Sequence, residues 1–200
     1  MNRRSFLLAP LALALLAPQA QAAKISLGEL SRYLNALQTA QADFTQINPD
    51  GTISTGQLYI RRPGRMRFEY NQPDNTVVIA GGGQVAIFDG KSNTGPEQYP
   101  LKRTPLNLIL EQNVDLARRS MVIGHREDGP KTIVTAQDPE NPQYGNIQLV
   151  FTGSPTELRQ WIVTDGSGVQ TTVVLGALNK GGSLSARLFN ITAETQARNR

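Results

Sequence analysis

Gly56-Gln57-Leu58-Tyr59-Ile60-Arg61-Arg62-Pro63-Gly64-Arg65-Met66-Arg67-Phe68-Glu69-Tyr70 reads as two strands folded about a turn. Leu58 and Ile60 alternate with Gln57, Tyr59 and Arg61, the period of two that puts successive side chains on opposite faces. Pro63 and Gly64 occupy the central positions of a type II turn, where proline presets φ and glycine accepts a positive one. The returning strand sets Met66, Phe68 and Tyr70 on one face and Arg65, Arg67 and Glu69 on the other. Apolar inside and charged outside, this hairpin predicts a β-rich fold with one wet and one dry face.

Outward from the hairpin the same grammar repeats. Residues 76–80, 85–88, 132–136, 147–151, 158–164, 169–175 and 184–191 are rich in β-branched side chains and separated by Gly, Pro, Asn and Asp. That spacing predicts an antiparallel meander curled into a barrel or sandwich. A helix precedes it. Ser26 and Glu29 form an S-x-x-E capping box, Ile25 and Leu30 stand at hydrophobic-staple spacing, and Leu27, Leu30, Tyr33, Leu34 and Leu37 keep one apolar face. The pattern predicts a helix fading near Gln41. Thr104-Pro105 opens a second, short helix, with Thr104 as its cap and proline at the first position. Leu106, Leu108, Ile109 and Leu110 make it apolar nearly all round, as suits a plug or lid on a curled sheet.

The first 22 residues read as an export signal: Arg3 and Arg4, an apolar run from Phe6 to Leu16, then Ala20-Gln21-Ala22 as a cleavage site. Asn2-Arg3-Arg4-Ser5-Phe6-Leu7-Leu8 fits a twin-arginine signal as well as a general-secretion one, and the route stays open. Residues 23–200 form one domain of 178 residues, long enough for a real core. Without the two signal arginines, 18 basic residues face 16 acidic ones, a net charge of +2 that does not argue for nucleic acid. With no cysteine and one histidine, no disulfide and no ordinary transition-metal ligand set is expected.

The search for catalytic chemistry returns little. His125 sits among Arg126, Glu127 and Asp128 and reads as a surface loop histidine, and no G-x-S-x-G elbow presents a serine. Asp165-Gly166-Ser167-Gly168 lacks the alternating acids of a calcium loop and reads as a hairpin turn. Gly81-Gly82-Gly83 has no following Lys-Ser/Thr and reads as a tight turn. The expectation is a protein with no catalytic residue, no metal and no cofactor. Arg62 keeps two readings. It belongs to a wet, aggregation-deterring edge hairpin, or, sharing a face with Leu58 and Ile60, it turns inward and forks its donors onto the backbone of a covering element.

Several pieces in order resemble the periplasmic outer-membrane lipoprotein carrier family, LolA. They are Asp43-Phe44-Thr45-Gln46, Gly56-Gln57-Leu58-Tyr59-Ile60-Arg61-Arg62-Pro63, Met66-Arg67-Phe68, Gln72-Pro73-Asp74 and Thr104-Pro105-Leu106-Asn107-Leu108-Ile109. The resemblance runs over roughly residues 26–191 and is densest before residue 115. It implies an unclosed antiparallel β-barrel, a half-barrel whose helices lid an apolar cavity. It also implies a monomer in the periplasm, without cofactor, that shields the acyl chains of lipoproteins. An inner-membrane ABC transporter complex would supply the cargo and an outer-membrane acceptor receive it. Arg62 matches the family's lid latch; Leu58, Ile60, Met66, Phe68, Leu106, Leu108 and Ile109 would line the cavity. The alternative is a related periplasmic binding or sensor module for another lipid, such as a glycolipid or terpenoid. Two departures stand out: Gln84-Val85-Ala86-Ile87-Phe88 carries fewer large aromatics than the family pattern, and Glu194 to Arg200 lacks its proline-rich end. The carrier reading requires the inward side of the sheet to enclose a dry, fillable space.

Overall fold

The computed structural model describes residues 23–92, 94–117 and 120–198. The signal-peptide reading of residues 1–22 lies outside the described residues. One sheet of 12 antiparallel strands dominates. Its strands are β1 Thr39–Ile47, β2 Ile53–Arg61, β3 Met66–Tyr70, β4 Val77–Gly81, β5 Gln84–Phe88 and β6 Glu97–Pro100 in the first half. The second half holds β7 Val122–Asp128, β8 Lys131–Gln137, β9 Asn146–Thr152, β10 Glu157–Thr164, β11 Gln170–Leu175 and the two-residue β12 Asn179–Lys180. They pair in the order β6-β5-β4-β3-β2-β1-β11-β10-β9-β8-β7, with β12 on β1, so the sheet is unclosed and β6 and β7 are its edges.

Three short helices complete the fold: α1 Leu27–Ala36, α2 Asn107–Leu110 and α3 Ile191–Arg198. Ser26 caps α1 as expected, its Oγ accepting from the Glu29 amide at 3.3 Å. The helix stops at Ala36 rather than near Gln41. The Leu37 amide returns to Tyr33 O, and Thr39 already pairs with Arg61 across β1 and β2. The hairpin pairing Leu58 with Phe68 and Ile60 with Met66 is as read. It is not an edge, however: β2 and β3 lie inside the sheet, so the arginines of this hairpin are not there to blunt an edge.

Alternation decides which face is which. Ala40, Ala42 and Phe44 of β1, Leu58 and Ile60 of β2, and Met66 and Phe68 of β3 point to the face that α1 and α2 cover. Leu30 and Leu34 of α1 join them in one continuous core with Leu149, Phe151, Leu158 and Trp161 from the far half of the sheet. Tyr33 meets Phe151 edge-on at 5.8 Å and accepts, through its hydroxyl oxygen, the Leu158 amide at 3.0 Å. Gly56 leaves room on this face for the Phe44 ring, which a Cβ at that position would strike.

The other face is mostly wet, except where the chain returns over it. Residues 184–191 do not form the expected strand. They give a 3-10 turn, Ala186–Phe189, and the start of α3. Ile191 packs on Val77, Ile79, Ala86 and Phe88, a small second core on the convex side. His125 lies in β7, not in a loop, with Nε2 2.9 Å from Ile25 O. Gly82 and Gly83 form the tight β4–β5 turn at positive φ, and Asp165 Oδ1 closes the β10–β11 turn by accepting the amides of Ser167 and Val169.

Candidate functional site

The covering segment begins where β6 ends. Leu101–Arg103 makes a 3-10 turn, and the Leu101 amide donates to Gly83 O at 2.9 Å. Thr104 does not cap α2 as its sequence suggests. Its hydroxyl donates back to Leu101 O at 2.9 Å, closing the turn before it. The helix instead grows from a chain of short-range bonds, Asn107 N–H to Thr104 O and Leu108 N–H to Pro105 O, both 3.1 Å. Leu108, Ile109 and Leu110 are buried against the core, and Leu106 packs at its margin half-buried. Only one helical turn long, α2 owes its place to those side chains and to the few bonds that tie it down.

Arg62 supplies one of those bonds. It is only 6% exposed, the inward placement that parity with Leu58 and Ile60 suggests. Its Nη1 donates to Leu34 O in α1, and its Nη2 donates to Glu111 O just past α2 and to Asn35 Oδ1 at 3.3 Å. One guanidinium thus ties the sheet to both covering helices. Burial pulls its pKa down, opposed by the charge of Glu111. The cation is therefore held by carbonyl dipoles, and among the described residues Nε has no hydrogen-bond partner. Leaving one buried donor unmatched costs on the order of 1–3 kcal/mol.

The turn after Arg62 adds a second tie. Gly64 takes the positive φ expected of it, 68°. Its amide donates to Leu110 O at 2.8 Å, while the hairpin itself is closed by the Arg61 amide on Arg65 O at 3.0 Å. The β2–β3 turn therefore grips the end of α2 from the sheet side.

The other sequence-derived residues converge. Leu58, Ile60, Met66, Phe68, Leu108 and Ile109 all lie in one buried cluster, with Leu106 packed against it. That space is not an open void. Phe44, Phe68, Tyr70 and Trp161 interlock edge-on, with Phe44–Phe68 at 5.2 Å and Phe68–Trp161 at 6.3 Å, and Met66, Leu110 and Met121 fill the remainder. The expected dry, fillable space is filled by the protein's own side chains. The largest cleft described, about 970 Å³, opens beside it instead. It lies between residues 100–111 and 120–144, and Leu108 and Met121 form walls shared with the core.

Sequence reasoning missed Ser31, Asn35 and the Gly64 amide. Only Asn35 left a signal: asparagine is a weak helix former and stands in the last turn of α1 for some duty other than helicity.

Among the described residues no group of three or more acidic, His or Cys side chains is placed to hold a metal. No described helix is long and apolar enough to cross a membrane. Comparison with known proteins identifies the family. Outer-membrane lipoprotein carrier proteins of Methylococcus capsulatus and Azotobacter vinelandii are each 26% identical, over 82% and 94% of this chain and 81% and 92% of theirs. That of Coxiella burnetii is 30% identical over 80% of both chains. The model of the outer membrane lipoprotein carrier protein LolA matches residues 35–192, from the last turn of α1 into α3. The chain therefore belongs to the LolA family of outer membrane lipoprotein carrier proteins, a periplasmic family that carries its cargo and does not act on it as an enzyme.

Proposed function

We propose that this protein, after removal of residues 1–22, takes up the acyl chains of lipoproteins released from the inner membrane by an ABC transporter complex, and delivers them as a monomer to an outer-membrane acceptor. The need is physical. Each exposed methylene costs about 0.8 kcal/mol in water, so chains with tens of methylenes do not cross an aqueous space unaided. The lining would be Leu58, Ile60, Met66 and Phe68 of the sheet with Leu106, Leu108 and Ile109 of the cover. Loading requires α2 to swing out and the inner side chains to move aside; Met66 and Met121, unbranched and adaptable, suit that motion.

The observation that carries this reading is the fastening of Arg62 to Leu34 O and Glu111 O across an otherwise greasy seam. A closed cover competes with cargo, and the apparent affinity falls by the fraction of molecules that are closed. Release then needs no ATP site, only an acceptor whose affinity exceeds that of the carrier, helped by reclosure over the emptied interior.

The test is cargo transfer. Arg62→Leu removes the fastening while keeping an apolar side chain, and should slow transfer of a bound triacylated lipoprotein to acceptor-bearing vesicles by about tenfold, the equivalent of one lost hydrogen bond to a charged group. Equal transfer rates would remove the latch role. Mass spectrometry of material copurifying with the exported protein separates the two ligand classes: acylated polypeptide supports the lipoprotein reading, whereas only free glycolipid or terpenoid overturns it in favour of a module for those lipids.

A further inference from the structure

We infer that Asn35 is the positioning residue of the cover: it fixes the C-terminal end of the α2 segment to α1 and aims Arg62 at Glu111. Its side chain is used completely. Oδ1 accepts from the Val114 amide at 2.9 Å and from Arg62 Nη2 at 3.3 Å. Nδ2 donates to Val114 O at 2.8 Å and to Asn113 Oδ1 at 3.3 Å. Asn35 thus reads both backbone groups of Val114, as a neighbouring strand would, and Val114 is fully buried beneath it.

One turn earlier on the same helical face, Ser31 Oγ accepts the Leu116 amide at 2.9 Å while donating to Leu27 O at 2.7 Å. The segment after α2 is therefore stitched to α1 at two points, residues 114 and 116. The helix itself is held at residues 110 and 111, by Gly64 and Arg62. Arg62 is the one guanidinium among the described residues that serves the first set, and it is joined to the other through Asn35.

This geometry assigns the two sets different work. The bonds at Leu110 and Glu111 end on a turn and a single cation and can part together when α2 lifts. The bonds at Val114 and Leu116 end on a capped helix whose leucines are locked in the core, and they stay. The cover accordingly swings from a fixed end. Only a carboxamide can both donate to and accept from Val114 while presenting an acceptor to Arg62. An aspartate in the same place keeps the acceptor and faces the Val114 carbonyl with like charge; a leucine keeps neither function.

The consequence for cargo rests on the carrier reading above, so the first measurement is made without cargo. Hydrogen exchange on the lipid-free protein should show faster exchange at Val114 in Asn35→Leu, which any local role would produce. The decisive site is the Gly64 amide, whose partner is Leu110 and which does not touch Asn35. If Asn35 positions the cover, Gly64 exchange rises about tenfold in Asn35→Leu, the loss of one hydrogen bond's worth of closure, while amides of β9 keep their protection. Gly64 exchange at the wild-type rate, with Val114 faster, overturns the inference. Should Asn35→Leu lose β9 protection as well, Asn35→Asp carries the same measurement, with the same two outcomes. Failed cargo transfer alongside wild-type Gly64 exchange would likewise overturn this inference, and leaves the Arg62 latch to its own transfer test.

Discussion

Arg67 and Glu194 stand 3.0 Å apart on the face of the sheet turned away from α1 and α2, and the pair fastens α3 to β3. Arg67 is buried there, with Nε on Glu69 at 2.6 Å and Nη1 also on Leu188 O at 3.1 Å. On the same face Arg61, two residues along β2 from Tyr59, which lies opposite Arg67, donates to Leu184 O at 2.8 Å. The outward arginines of the hairpin are thus clamps for residues 184–194, just as Arg62 on the inward side is a clamp for the cover.

Acid should open the outer clamp. Burial alone would raise the pKa of Glu194, but hydrogen bonds from Arg198 and Arg67, and their charges, hold it below the ordinary 4.5. A carboxylate depressed on folding contributes stability that is present above its unfolded pKa and fades as pH falls through the folded one. Below about pH 4.5, therefore, protection of the Glu194 amide, which donates to Asn190 O at 3.1 Å, should decline ahead of the β9 strand. Glu194→Gln should start at the lower level and lose that pH step. Identical profiles for the two proteins would mean that Ile191 on its apolar patch, not the ion pair, holds α3.

Truncating the cover should separate local from global stability. Leu108 is buried but belongs to a single helical turn, tied to the rest by Arg62 and Gly64. Leu108→Ala forfeits about 2–5 kcal/mol of contacts at a fully integrated site. Here the loss can be relieved by lifting α2 alone, so the chemical denaturation midpoint should change little while Gly64 exchange accelerates. A midpoint shift equal to the full packing loss would show that the cover unfolds only with the sheet.

What could be read in the sequence followed from strong periodicity. The hairpin from Leu58 to Phe68, the inward parity of Arg62 and the apolar 106–110 segment all carry patterns that packing reinforces. β1 escaped because Thr39-Ala40-Gln41-Ala42 has small and polar residues that continue a helical pattern; pairing of Thr39 with Arg61 and of Ala42 with Leu58 overrides that local preference. β7 escaped because an edge strand with Gly124, His125, Arg126 and Glu127 has no dry face to betray it. Residues 184–191 alternate like a strand, yet Arg61 and Arg67 take the carbonyls of Leu184 and Leu188, and the chain coils over the sheet instead of joining it. Asn35 and Ser31 act through backbone groups more than 75 residues away, contacts that no local pattern encodes.

Alkali should find a weak point inside the aromatic cluster. Tyr70 lies edge-on to Phe44 at 5.1 Å, and its hydroxyl donates to Gln46 Oε1 at 2.7 Å. Burial pushes its pKa up to about 12, only partly offset by the Gln46 hydrogen bond, with the charge of Asp74 adding to the rise. A phenol whose folded pKa exceeds its unfolded value of 10.0 contributes stability that is complete below that value and is lost as pH climbs toward 12. Burial also raises Tyr59 and Tyr99, so difference absorbance during an alkaline titration should show several late tyrosine steps, and Tyr70→Phe should remove the one near pH 12. Stability of the wild type should fall between pH 10 and 12 more steeply than that of Tyr70→Phe, because the wild type gains one more ionised phenol on unfolding. Parallel alkaline stability curves would mean that the Phe44–Phe68–Tyr70 cluster admits water, and that the interior behind the cover is already wet before any cargo arrives.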